Sequence, residues 1–327
     1  MSIEMSRDTF NQFGFTDRTA HDVRMMPRPH LTISAYAEIA AMAAALAGPH
    51  IRAGYQACSS FEAKGIGDFV TETDRAAEHA IIEYLQGATP AIPIISEEGC
   101  GSTLPTSGPA WIVDPLDGTS AFIFKSDPSH PAVMVALLDN AVPVVSIVYL
   151  PLVERWFYAE KGKGAWMFDG ASPSHNSTLL TALQAPHTLG GAQVVMNHYG
   201  NSMYETDFFR AASRLLRGPQ GAALVTIEAP NSAVSCRMLA PHSPVVAVIH
   251  DNQLAKIKQE VWDIAPVLLI VEEAGGLVSD QFGDRYVIGS GGPILISRNA
   301  EVHRQLVTLL GNTSSPKTFL EPPPTRE

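Results

Sequence analysis

The chain has 327 residues, 46% hydrophobic and 17% charged, enough to bury a large core and to divide into two lobes. A formal charge of −11 with no Lys/Arg cluster argues against a nucleic-acid grip or adhesion to an anionic membrane. Cys58, Cys100 and Cys236 are scattered without a Cys-x-x-Cys pair, so neither a zinc site nor a disulfide framework is expected, and a reducing cytoplasm fits best.

Residues 1–30 read as a flexible polar extension, and Glu4, Asp8, Asp17 and Asp22 within it are unlike a secretory signal. The Ala-rich run 32–47, with Ile33, Tyr36, Ile39 and Ala40 on one face, predicts a helix ended by Gly48-Pro49, with a further helical piece to about Cys58. It is too short to span a bilayer. Residues 61–69 read as a mobile Gly-containing loop carrying Lys64, and Thr73 or Asp74 as the N-cap of a helix over 75–85. A short strand at 92–96 stops at Glu97-Glu98-Gly99, and a Gly/Ser/Pro/Thr loop leads to a strand that ends at Asp114.

Residues 132–138 and 142–149 predict a hairpin across Asp139-Asn140, and 156–159 and 164–168 two more strands. A run of strands without helices predicts an α+β first lobe with an antiparallel sheet over 31–188. Strands at 193–196, 222–227, 245–249 and 294–297 then alternate with helices at 205–216, 231–239, 263–274 and 301–310. That alternation predicts an α/β second lobe over 189–312, its sheet covered by helices on both sides. The Pro-rich tail 313–327 reads as disordered.

The chemistry is concentrated in Trp111-Ile112-Val113-Asp114-Pro115-Leu116-Asp117-Gly118-Thr119. An apolar strand delivers two carboxylates to one point, and the N–H groups of Gly118 and Thr119 follow at a helix start. Carboxylates this close repel unless a proton or a cation lies between them, and the further acidic residues at element ends favour a metal. Those residues are Asp74, Glu97, Glu98 and Asp263. No Gly-x-Ser-x-Gly elbow, His-Glu-x-x-His helix or P-loop offers another chemistry.

Four segments in order resemble the inositol monophosphatase superfamily of metal-dependent, lithium-sensitive phosphomonoesterases. They are Asp68-Phe69-Val70-Thr71-Glu72-Thr73-Asp74, Ile95-Ser96-Glu97-Glu98-Gly99, residues 111–119, and Trp262-Asp263-Ile264-Ala265 leading to Glu273-Ala274-Gly275-Gly276. The resemblance implies a layered αβαβα sandwich, a homodimer and Mg²⁺-dependent hydrolysis of a small phosphate monoester. It assigns Glu97, Asp114 and the Leu116 carbonyl to one Mg²⁺, and Asp114, Asp117 and Asp263 to a second. All-oxygen ligation suits magnesium, and Glu98 could touch a third ion. Asp74 and Thr119 would orient a metal-activated water, with Gly118 and Thr119 N–H groups on the phosphate. Lys64 is a further candidate for the site.

Substrate-reading positions depart from the resemblance. Lys256 stands where inositol-specific animal members carry an acid, Pro230-Asn231-Ser232-Ala233 replaces a Gly-Ser-Ala stretch, and Ser235 stands where Asp is common. Pro266 replaces a small residue, tolerable if Asp263 is the N-cap of its helix. The 118–123 segment and Glu154-Arg155-Trp156 look like the histidinol-phosphate branch. Histidinol-phosphate or nucleotide 3′-phosphate hydrolysis, an added regulatory binding role, and a haloacid-dehalogenase-type mechanism remain alternatives; the last needs Asp-x-Asp, which is not the spacing here.

Overall fold

The computed structural model describes residues 34–57, 60–65, 68–99, 104–105, 107–170, 177–181, 188–197, 206–228, 231–251, 261–311 and 313. The expected N-terminal extension, the tail beyond 313, Pro230 and Lys256 lie outside the described residues.

Helix α1 (Ala35–Ala57) runs straight through Gly48-Pro49, where the sequence predicts an end. Pro49 removes one backbone donor, but Ala40, Ala44, Ala47 and Ile51 are fully buried, and that packing carries the helix across. Gly48 serves a close approach instead, since a Cβ there would lie 2.9 Å from the Tyr149 ring. The stretch read as a mobile loop is an antiparallel hairpin, β1 (Phe61–Gly65) with β2 (Asp68–Thr71). Its strands are held by aromatic contact: the Phe61 and Phe69 rings are 5.3 Å apart, and Phe124 packs 6.2 Å from Phe69.

Next come α2 (Glu72–Ala88), β3 (Ile94–Ser96), β4 (Pro109–Asp117), the short α3 (Thr119–Phe124), β5 (Ala132–Asp139), β6 (Val142–Leu150), β7 (Arg155–Glu160), β8 (Ala165–Asp169) and β9 (Thr178–Leu179). The strands form one seven-stranded sheet in chain order, antiparallel except for β3 against β4. The β5–β6 turn uses Asn140 and Ala141, both left-handed at φ 50 and 60, as a two-residue hairpin requires.

The second sheet takes β10 (Gln193–Asn197), β11 (Leu224–Glu228), β12 (Val245–His250), β13 (Leu277–Ser279) and β14 (Ile294–Ser297) in the order β11-β10-β12-β14-β13. Its helices are α4 (Asp207–Leu216), α5 (Val234–Leu239), α6 (Val261–Glu273) and α7 (Ala300–Leu310). β10 is parallel to β11 and β12, whereas β14 runs antiparallel to β12 and β13.

Burial on alternate residues sets the layers. In β5, Val133, Val135 and Leu137 pack with α1 and α2, while Ala132 and Met134 face a core shared by α5, α6 and the second sheet. The opposite face of that sheet buries Val194, Met196 and Leu295 against α4 and α7. The result is the expected αβαβα sandwich, with α5 and α6 between the two sheets.

Candidate metal centre

β4 does not stop at Asp114; it continues to Asp117 through an irregularity. Asp114 opposes Met134 and Asp117 opposes Ala132, so three steps on β4 match two on β5. In a regular strand, residues three apart point to opposite faces. The extra residue cancels that alternation and turns both carboxylates to one side, and Pro115 fits there because a bulge needs no ladder donor. Gly118 follows at φ 81, left-handed, and α3 starts at Thr119.

Asp263, in the first turn of α6 and 8% exposed, meets this pair from the layer between the sheets. One carboxylate oxygen each from Asp114, Asp117 and Asp263 lies within 4.8 Å of the others. Asp114 Oδ1 accepts the Leu116 N–H at 3.0 Å, but its Oδ2 is buried and, among the described residues, takes no hydrogen bond. Such an orphaned oxygen costs about 1–3 kcal/mol unless a proton or cation meets it. Burial, reinforced by the charges of Glu97, Asp117 and Asp263, pushes the Asp114 carboxyl well above its usual range. An all-oxygen, multiply anionic cluster with an unused inward lone pair fits a hard divalent cation such as Mg²⁺.

α6 begins no later than Val261, so Asp263 is inside the helix and is not its N-cap. Pro266 therefore falls past the first turn, where it withholds the N–H that would reach the Trp262 carbonyl. The helix persists because residues 264–271 are all buried between the sheets.

The N-cap of α2 is Thr71, not Thr73 or Asp74. Thr71 Oγ1 accepts from Thr73 N at 3.1 Å, and Asp74, at the third helical position, returns a bond from Thr71 N at 2.8 Å. This capping box leaves Asp74 Oδ1 to accept from Thr119 Oγ1 at 3.0 Å. Thr119 Oγ1 also stands 3.0 Å from the Leu116 carbonyl. A hydroxyl has one proton for these two acceptors, and its lone pairs stay available to a donor such as water. Burial raises the Asp74 carboxyl, against the hydrogen bonds from Thr71 and Thr119.

Glu97 and Glu98 sit just past β3, and Lys64 of the hairpin bridges them, Nζ 2.8 Å from Glu97 Oε1 and 2.9 Å from Glu98 Oε1. Lys64 is thus no isolated surface lysine. Burial pushes Glu97 up to about 7, with Lys64 pulling the other way. For Lys64, burial favours the neutral amine, but Glu97 and Glu98 outweigh it and hold the ammonium charged. Glu97 is also the largest charge acting on Asp114, so the two carboxylates are neighbours.

The segment before α5 reaches the cluster in a role the sequence does not reveal. Ser232 N and Ala233 N donate to Asp117 Oδ1 and Oδ2, both at 2.9 Å. Burial pushes Asp117 up to about 6 despite these bonds. Asn231 Nδ2 donates to the His130 carbonyl at 2.6 Å, and Arg237 reaches Ser129 Oγ at 3.3 Å, tying α5 to the loop after α3. Segment 230–233 is noticeable in the sequence only as a departure from the resemblance.

Asp114, Asp117 and Asp263 are thus gathered around one point, with Glu97 next to Asp114 and with Asp74 and Thr119 paired nearby. This is a candidate divalent-cation centre on a five-layer sandwich. Residues 33–313 match the inositol monophosphatase family, and the chain belongs to it. It is 31% identical to the Solanum lycopersicum protein named inositol monophosphatase 2 over 77% of this chain and 89% of the relative. It is 28% identical to histidinol-phosphatase of Mycobacterium tuberculosis, covering 74% of this chain and 84% of that one. Among solved structures, extragenic suppressor protein suhB from Bartonella henselae superposes with a TM-score of 0.72 at 24% identity, over 85% of this chain and 99% of that chain. Among the described residues, no helix is long and apolar enough to cross a membrane.

Proposed function

We propose that the chain hydrolyses a small phosphate monoester, inositol monophosphate-like, with Mg²⁺. The observation that carries this is Asp114 Oδ2, without a hydrogen-bond partner among the described residues, inside a cluster of carboxylates from β4 and α6. Glu97, Asp114 and the Leu116 carbonyl would hold one ion, and Asp114, Asp117 and Asp263 another. When bound, the ions lower the pKa of water and offset the charge of the phosphate and of the departing oxygen.

The chain's own groups do the rest. Thr119 Oγ1 accepts a hydrogen bond from the attacking water while its own proton is directed at Asp74 Oδ1, 3.0 Å away. The capping box fixes Asp74, so the hydroxyl stays aimed. N–H groups of Gly118 and Thr119 would receive phosphate oxygens. Glu98 and Lys64 stand at the edge, where a third, weaker ion would displace Lys64.

Hydrolysis of histidinol phosphate or a nucleotide 3′-phosphate is the second reading, favoured by the 118–123 and 154–156 segments and by the histidinol-phosphatase relative. A panel assay with Mg²⁺ on inositol, histidinol, nucleotide 3′- and sugar phosphates decides between them by kcat/KM. Asp117→Asn should fold and lose Mg²⁺-dependent phosphate release; full activity in that variant would reject the site. Inhibition by millimolar lithium and the lack of a trapped covalent intermediate would set the enzyme apart from dehalogenase-type phosphatases.

A further inference from the structure

At the far side of the cluster, a buried polar chain runs from the second sheet to Asp117. Asn197, the last residue of β10, pairs its side-chain amide with both backbone groups of Asn231: Nδ2 donates to the Asn231 carbonyl at 2.8 Å and Oδ1 accepts the Asn231 N–H at 3.2 Å. The second hydrogen on Nδ2 meets His250 Nδ1 at 3.2 Å, at the end of neighbouring β12. An amide nitrogen cannot accept, so Nδ1 is the unprotonated nitrogen and Nε2 carries the hydrogen. Nε2 lies 3.1 Å from Ser235 Oγ. Asn197 and His250 thereby grip segment 231–235 at both ends, and its middle supplies the two amides that clasp Asp117. Asn197, Asn231, Ser235 and His250 are at most 3% exposed, so water does not replace a lost bond at low cost.

We propose that Asn197 and His250 are positioning residues that set the orientation of the Asp117 carboxylate and hence the divalent-cation affinity of the site. Each Asp117 oxygen gives one lone pair to a backbone N–H, and the direction of that N–H decides where the other lone pair points. The inference rests on the metal-site reading above and adds residues of the second lobe to it.

Calorimetric titration of the metal-free protein with MgCl₂ separates the two. If the wild type takes up no Mg²⁺, the metal-site reading fails. If the wild type binds and Asp117→Asn does not, Asn197→Leu should bind about 10- to 100-fold more weakly while keeping its circular dichroism spectrum. His250→Leu should behave likewise, and His250→Gln, which keeps a donor toward Ser235, should recover most of the affinity. Unaltered Mg²⁺ affinity in folded Asn197→Leu or His250→Leu overturns the inference. Should Asn197→Leu fail to fold, the contrast between His250→Leu and His250→Gln still decides: equal affinities reject the positioning role.

Discussion

Thr119 Oγ1 lies 3.0 Å from Asp74 Oδ1, although the two are 45 residues apart and belong to different helices. α2 supplies the carboxylate from its capping box, and α3 supplies the hydroxyl from its first position. Removing the hydroxyl should leave the carboxylate cluster intact and disable only the proton path. Thr119→Ala is expected to lower kcat by about 100-fold or more, with Thr119→Ser recovering most of it. Mg²⁺ affinity measured by calorimetry should not change; a parallel loss would make Thr119 a determinant of metal binding instead.

Asp263 brings a third carboxylate to Asp114 and Asp117, and without a cation their repulsion works against folding. Asp263→Asn should therefore melt no lower than the wild type in EDTA. It should also lose the stabilisation that saturating Mg²⁺ confers on the wild type, about 2.7 kcal/mol at 100 times the dissociation constant. Thermal melts with EDTA and with MgCl₂ test both halves. An equal Mg²⁺-dependent rise in the variant would remove Asp263 from the ligand set.

The stability of the metal-free protein should depend on pH through the same groups. Glu97 is raised to about 7 and Asp117 to about 6, above ordinary unfolded carboxylates at about 4. A raised carboxyl binds its proton more tightly in the folded state, so its contribution is fully present below the unfolded pKa and is lost as pH rises through the folded one. In EDTA, the melting temperature should rise as pH falls from about 7.5 to 5.5. Saturating Mg²⁺ should flatten or reverse that slope, because protons and cations compete for the same oxygens. A metal-free melting temperature that falls over this interval would contradict the assignment.

Gly118 is where the site's backbone has no slack. At φ 81, a Cβ would lie 2.6 Å from Asn231 Nδ2 and 3.3 Å from the His130 carbonyl, the donor and acceptor of one bond between the segment before α5 and the loop after α3. Gly118→Ala should destabilise by about 1–3 kcal/mol, read from urea unfolding, and lower activity by shifting Thr119. A variant with unchanged stability would show that the loop after α3 yields easily.

The carboxylates proposed for the metal site were noticeable in the sequence because each sits at the end of an apolar run or the start of a helix. Asp114, Asp117, Glu97 and Asp263 stand out there as carboxylates where the local pattern calls for core. Most strands of both sheets, though not β9 or β13, and most helices were legible for a similar reason: strands such as β5 and helices such as α4 carry their period in consecutive residues. The continuation of α1 through Pro49 was not, since packing on Tyr149 and the sheet overrides a local breaker. Nor was the β1–β2 hairpin, whose strands are held by Phe124 from another element.

Local sequence thus determined which side chains could carry charge to a site and on which elements they ride. Only the tertiary structure decided the β4 bulge that turns Asp114 and Asp117 to one side, and the clasp of the Ser232 and Ala233 amides around Asp117, whose segment Asn197 and His250 hold. Those features depend on hydrogen bonds between residues tens of positions apart, and such bonds leave no periodic trace along the chain.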